Sequence, residues 1–346
     1  LKHVWLMGKL DTEFSRVVHV NHRQMRVSVV TRLSLVAACL VARQAFVVPK
    51  PPSVARFGKQ APRHHGPGVV STHATAEFPP DFLIAPDSRK QGPLSILRAA
   101  LFGGYLFTIA SVLIVAMAAA LPWVRRKDPV RRRFMDRVNT LWAKLAARPF
   151  FRVEVVNGEN LPPDDLPCVY VANHQSFLDI FSMYFLRRPF KWVSKASILK
   201  IPIIGWAMGM TGHVALERDD RKSQLKVMRQ CGDTLKAGAS MFFFPEGTRT
   251  KTGVMGEFKR GAFSIAQRAG VGIVPVTVLG TGAIMPSGKE SSLFPTRAGV
   301  QLVCHPVIPA EEVKDSSQQE ILAKTRDIIA SALPPELHGT PQPATE

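Results

Sequence analysis

Cysteine is scarce in this chain, and acid is missing from long stretches of it. Four cysteines serve 346 residues. Cys39, Cys168, Cys231 and Cys304 form no Cys-x-x-Cys pair and have no clustered histidine, which argues against a disulfide framework and against a zinc site. Cys168 and Cys304 fall in apolar runs and are expected to pack as small core residues. No Asp or Glu occurs from Phe14 to Ala76, and the net charge is +19. Such a charge raises nucleic acid as a partner, but its distribution speaks against one. Residues 1–133 carry 20 Lys and Arg against 6 Asp and Glu, whereas the rest of the chain carries 25 against 20. No nucleic-acid module signature is present, and no run of aromatics interleaves with the basic residues.

The acid-poor start has an order. Met25-Arg26 and Arg32 precede ten uncharged residues, Leu33 to Ala42, and Arg43 follows. These are the basic region and short apolar core of a secretory signal peptide, too short to span a bilayer comfortably. Ala45-Phe46 comes next, then a basic, proline-rich stretch without acid up to Glu77. The whole resembles a bipartite plastid-targeting leader, with Met25 as initiator and cleavage before Phe46. A simple signal anchor or a basic tail is the alternative. Residues 1–90 are accordingly read as a targeting or disordered leader.

Residues 99–124 are 26 uncharged residues between Arg98 and Arg125. At 1.5 Å per residue they are long enough to cross a bilayer of about 30 Å with some tilt. Gly103-Gly104 permits close approach of another helix, and Trp123 stands at an interface position. Arg125, Arg126, Lys127 and Arg131 to Arg133 follow. This cluster is expected on the side that does not translocate, resting on anionic lipid head groups, with the following domain on the same side.

From about residue 130 apolar runs alternate with helical stretches. Strands are expected near 151–156, 168–172, 190–194, 213–217, 240–244, 273–279 and 299–304. Helices are expected near 134–147, 177–187, 221–237, 261–269 and 316–332. The alternation predicts an α/β fold, a mainly parallel mixed sheet flanked by helices, preceded by one transmembrane helix. That domain is placed at 130–333, and the proline-rich end, 334–346, is expected to be disordered. The apolar segment Ile198 to Trp206 is open to three readings: an acyl-chain groove, a membrane-interface segment, or core packing.

Two motifs follow apolar runs, at the strand ends where loops of such sheets gather function. The first is Asn173-His174-Gln175-Ser176-Phe177-Leu178-Asp179. On one continuous helix His174 and Asp179 lie about 140° apart, so they meet only if His174 is in the loop and Asp179 in the first helical turn. An Asp hydrogen-bonded to an imidazole fixes its tautomer and lets it act as a general base. The second motif is Phe244-Pro245-Glu246-Gly247-Thr248-Arg249. Pro245 ends strand pairing, Gly247 admits positive φ, and Arg249 offers a planar fork suited to phosphate. Glu246 can orient that guanidinium or hold a substrate hydroxyl.

Together these motifs resemble the glycerolipid acyltransferases, in particular the 1-acylglycerol-3-phosphate acyltransferases. Gly212-His213-Val214-Ala215-Leu216-Glu217-Arg218, Phe258-Lys259-Arg260-Gly261, Val274-Pro275-Val276 and Lys195 extend the resemblance in order over about residues 150–310. His213 and Ala215 depart from it, since bulkier apolar residues are more usual there. The resemblance implies acyl transfer from a thioester to the sn-2 hydroxyl of lysophosphatidate, giving phosphatidate. It implies His174 as base, Asp179 as its orienting partner, Arg249 and Arg218 as phosphate ligands, and Lys195 as a further phosphate candidate. Glu246, Gly247 and Thr248 would shape the acceptor site. Ser176 is expected to serve as a helix cap rather than a nucleophile. No metal and no cofactor are implied; acyl-CoA or acyl-acyl carrier protein is the co-substrate, membrane lipids and lysophosphatidate are partners, and nucleic acid is not. Glycerol-3-phosphate or a lysophospholipid is the alternative acceptor, and a non-catalytic membrane-anchored lipid-binding protein the alternative role. A plastid membrane is the favoured address, the endoplasmic reticulum the alternative.

Overall fold

The computed structural model describes residues 82, 88–217 and 220–340. The chain divides into two units, Leu1–Pro51 and Pro52–Glu346; the first lies outside the described residues, and every described element belongs to the second. The expected targeting leader, except residues 82 and 88–90, the last six residues, and Arg218 also lie outside the described residues.

Seven strands form one sheet in the order β1-β7-β6-β2-β5-β3-β4. They are β1 (Val153–Val156), β2 (Val169–Ala172), β3 (Phe190–Lys195), β4 (Val214–Leu216), β5 (Ser240–Phe243), β6 (Ile273–Leu279) and β7 (Val300–Cys304). β6, β2, β5, β3 and β4 run parallel, so their carboxyl ends share one edge. β7 is antiparallel to β6, and β1 is parallel to β7. β2 and β6 are buried along their whole length, which fits the continuous apolar runs of central parallel strands. Side chains alternate between faces. Tyr170 and Ala172 pack into one core layer with Phe181, Phe190 and Phe242, and Val169 and Val171 into the other with Phe263 and Ile321. Cys168 and Cys304 are buried core residues, as expected.

The helices are α1 (Pro93–Lys127), α2 (Arg133–Ala147), α3 (Asp179–Met183), α4 (Ile204–Thr211), α5 (Arg221–Lys236), α6 (Gly261–Ala269), α7 (Thr281–Ile284), α8 (Ala310–Asp315) and α9 (Gln318–Ala330). Residues 198–206 enter a short 3₁₀ turn and then α4, with Leu199, Ile201 and Trp206 exposed.

Among the described residues α1 is the helix long and apolar enough to cross a membrane. Its 35 residues extend about 52 Å. Its buried residues, Ser95, Phe102, Leu106, Leu113, Met117 and Val124, form one stripe. Phe102 meets Phe150 and Phe181 edge-on at 5.2 and 5.7 Å, and the Trp142 indole N–H donates to the Leu106 carbonyl at 3.2 Å. Met117 and Val124 pack with Met135, Ala207 and Met210. At the amino end, the Leu293 N–H donates to the Ser95 carbonyl at 2.9 Å and the Lys289 ammonium to the Arg89 carbonyl at 2.9 Å. The domain therefore touches α1 along its length. The stripe was illegible because the helix is apolar all round, which leaves no polar face to define a period.

Candidate active site

β2 and β5 are parallel neighbours, with Val171 beside Phe243, so the chain leaves both at the same edge. The buried Asn173 amide clamps the end of β2 to β6, donating to the Val278 carbonyl at 3.0 Å and accepting the Val278 N–H at 2.8 Å. His174 follows in the loop, and Asp179 is the first residue of α3. The His174 Nδ1 lies 2.7 Å from Asp179 Oδ2, the loop-to-first-turn arrangement that the spacing requires. The same oxygen accepts the N–H groups of Gln175 at 2.8 Å and Ser176 at 2.9 Å. Asp179 is fully buried, while the His174 side chain keeps 15% exposure. With Nδ1 engaged, Nε2 is the ring nitrogen left for a substrate. The Ser176 hydroxyl donates to the Met285 carbonyl at 2.7 Å and accepts the Leu178 N–H at 3.1 Å, so it is occupied in the turn.

The second motif closes over the first. The Phe244 ring stacks on the imidazole with centroids 3.9 Å apart and planes 8° from parallel. Gly247 has φ +72°, and a Cβ there would come within 2.9 Å of the Lys259 ammonium. Glu246 is only 6% exposed. Its Oε1 accepts the His174 N–H at 2.7 Å and its Oε2 the Gly256 N–H at 2.9 Å. Burial pushes its carboxyl up to about 7 against the pull of those two donors. The Thr250 N–H donates to the His174 carbonyl at 2.9 Å.

Arg249 turns to Glu290, Nη1 to Oε1 at 2.8 Å, and both side chains are partly exposed. The Gly288 N–H also donates to Glu290 Oε1 at 3.0 Å. Burial works to raise the Glu290 carboxyl, but the backbone donors and the Arg249 guanidinium outweigh it and hold it below its ordinary value. Thr248 is exposed at the tip of the turn. Lys195, exposed, ends β3 at the same edge, on the strand next to β5. β4 ends there at Leu216, two residues before Arg218.

Sequence reasoning missed Gly256 and Glu290 as parts of this site, and it gave no role to Asn173 and Phe244 within their motifs. Phe244 opens the second motif, but nothing in the sequence marks its ring as a stacking partner. Gly256 contributes a backbone N–H, which has no residue signature. Glu290 arrives from the loop after α7, and no local pattern links it to Arg249.

A family model described as Acyltransferase matches residues 152–279. A 1-acyl-sn-glycerol-3-phosphate acyltransferase of Chlamydomonas reinhardtii is 49% identical over 247 residues, covering 71% of this chain and 73% of that protein. The chloroplastic 1-acyl-sn-glycerol-3-phosphate acyltransferase LPAT1 of Arabidopsis thaliana is 46% identical, covering 64% of this chain and 62% of its own length. A crystal structure of the 1-acyl-sn-glycerophosphate acyltransferase PlsC from Thermotoga maritima superposes with a TM-score of 0.56 at 26% identity, over 70% of this chain and 98% of that one. The matched family region spans both motifs and the strands that carry them, and the Chlamydomonas likeness extends over most of both proteins: the chain belongs to the 1-acyl-sn-glycerol-3-phosphate acyltransferase family.

Proposed function

We propose that this protein moves a fatty acyl group from a thioester to the sn-2 hydroxyl of 1-acylglycerol-3-phosphate, forming phosphatidate. The observation that carries this is the 2.7 Å His174–Asp179 contact beneath the Arg249 turn. Asp179 takes the Nδ1 proton in a hydrogen bond, which leaves the Nε2 lone pair to accept the proton of the acceptor hydroxyl. The oxygen then attacks the thioester carbonyl, the C–S bond breaks as the tetrahedral intermediate collapses, and the thiolate takes the proton back from Nε2. Base catalysis of this kind is typically worth about 10²–10⁴-fold. The acceptor hydroxyl is itself the nucleophile, so no acyl-enzyme is required, in keeping with the occupied Ser176 hydroxyl. Arg249 binds the phosphate, with Arg218 and Lys195 as further ligands and Gly247 and Thr248 shaping the turn. The reaction needs no metal or bound cofactor; acyl-CoA or acyl-acyl carrier protein is the donor.

The exposed apolar side of α1, with Leu94, Leu97, Leu101, Val115 and Trp123, supports a membrane location. A plastid membrane is the favoured one, supported by relatives named chloroplastic in Arabidopsis thaliana and Brassica napus. An assay on purified protein crosses both donors with lysophosphatidate, glycerol-3-phosphate and lysophosphatidylcholine. Lysophosphatidate is the expected best acceptor; preference for either of the others, or no transfer at all, rejects the proposal. A fluorescent fusion of residues 25–90 is expected in the plastid, and retention in the endoplasmic reticulum rejects that address.

A further inference from the structure

The turn from Phe244 to Thr250 holds His174 at three separate places. Phe244 covers the face of its ring, the Glu246 carboxylate accepts its backbone N–H, and the Thr250 N–H donates to its backbone carbonyl. Of these, the Glu246 contact is the one made by a buried charged group. Both of its oxygens are filled by backbone donors, from His174 on the β2 loop and from Gly256 on the loop after the turn. Neither is directed to Arg249, which pairs with Glu290. A group so enclosed is poorly placed to hold a substrate hydroxyl.

We infer that Glu246 is a positioning residue, whose carboxylate ties the loop after β2 to two places in the loop after β5 and fixes the backbone from which His174 acts, rather than a ligand of the acceptor. This rests on the proposed role of His174 as base. Small errors in placing a catalytic group are costly, and about 1 Å can cost on the order of 100-fold. Gly256 offers a way to disturb the brace while leaving Glu246 in place. A Cβ there would come within 3.1 Å of Glu246 Oε2, so Gly256→Ala presses on the carboxylate itself.

The experiment measures kcat and both KM values for the full chain with lysophosphatidate as acceptor, comparing wild type, Glu246→Ala, Glu246→Gln and Gly256→Ala. A glutamine keeps the length and one accepting oxygen but turns an amide N–H toward the second donor. The expected loss is in kcat, about 10- to 100-fold for Gln and more for Ala, with acceptor and donor KM within about twofold. Gly256→Ala is expected to lose kcat about threefold, again without a KM change. A tenfold rise in acceptor KM at near wild-type kcat in the Glu246 variants overturns the inference, as does wild-type kcat in Gly256→Ala. Should Glu246 variants fail to fold, the glycine variant decides alone. Absence of transfer to lysophosphatidate by the wild type is a different result, and it removes the underlying functional reading.

Discussion

Two polar clusters sit at opposite edges of the same sheet, one after β2 and β5, the other at the start of β3 and β4. At the carboxyl edge are His174, Asp179 and Glu246. At the amino edge the Lys191 ammonium meets both oxygens of Asp136 at 2.9 and 2.8 Å, with the two side chains 1% and 6% exposed. Beside that pair, His213 Nδ1 accepts the Trp192 N–H at 3.2 Å, its Nε2 lies 3.4 Å from the Tyr184 hydroxyl, and the Trp192 indole donates to that hydroxyl at 3.0 Å. Burial first, and Lys191 second, lower the His213 pKa well below its ordinary value, so this imidazole stays neutral. Here both nitrogens of the ring face protein. At the carboxyl edge one imidazole nitrogen is held and the other is left toward a partly open site. A buried ion pair and a partly buried histidine beside it therefore do not by themselves mark catalysis. A ring with one side fixed and one side free is what the proposed base requires, whereas His213 has both nitrogens engaged by its neighbours.

The comparison predicts opposite failures at the two edges. At the carboxyl edge, His174→Ala is expected to lower kcat by about 10²–10⁴-fold while the melting temperature stays within a few degrees. Asp179→Asn should approach that loss, because the amide favours the wrong tautomer. Steady-state rates beside a thermal melt make the check, and wild-type turnover by His174→Ala would break the assignment.

At the amino edge the fold should fail and the chemistry should not. Burial pushes the Asp136 carboxyl up to about 6 even though Lys191 pulls it down. Lys191→Met alone leaves that carboxyl unpaired, and breaking one side of a buried pair costs about 3–5 kcal/mol. Replacing both, as Asp136→Leu with Lys191→Met, is expected to recover most of the loss, since apolar residues of similar volume pack in place of such pairs. Denaturant midpoints give the energies, and kcat per folded molecule should match wild type throughout. A catalytic defect in the stable double variant would mean that the two edges are coupled.

The same contrast separates what the sequence revealed from what it hid. Strands β1 to β7 lie close to where apolar runs and turn residues place them, because central strands advertise themselves through continuous Val, Ile and Phe. The His174–Asp179 contact follows from a spacing of five across a strand–loop–helix junction. Hidden were contacts between distant segments: Asp136 with Lys191, Arg249 with Glu290, Glu246 with two backbone N–H groups. The reversed direction of β7 and β1 was hidden too, since an apolar run has no direction of its own. A backbone donor has no residue type, and a long-range ion pair has no period.

Glu246 also gives the comparison a pH test. Its folded carboxyl is raised to about 7 chiefly by burial, against an ordinary value near 4.3. A raised pKa means that the folded state holds the proton more tightly. The stabilisation it brings is complete below about 4.3 and lost as pH climbs through 7. Glu246→Gln has no such titration. The wild-type melting temperature, measured relative to the variant, should therefore fall between pH 5 and pH 8, by an amount on the order of 2 kcal/mol in stability. A constant difference across that range would show that the two backbone donors fully offset the burial.

The smallest expected effect concerns Glu290, whose place in the contrast is open to decision by measurement. Its pair with Arg249 is partly exposed on both sides, and exposed pairs are worth about 0–1 kcal/mol. If Arg249 binds the acceptor phosphate, that phosphate must take the guanidinium from Glu290. Glu290→Gln removes the competing charge at constant shape. Acceptor KM should then fall by at most about fivefold, the equivalent of 1 kcal/mol, with donor KM unchanged. Inorganic phosphate should inhibit the variant at lower concentration than the wild type. Both differences should shrink as salt is raised, because screening already weakens the wild-type pair. A rise in acceptor KM would mean the opposite arrangement: Glu290 would hold Arg249 ready for phosphate as Asp179 holds His174 ready for the hydroxyl, and would belong to the fixed part of the site.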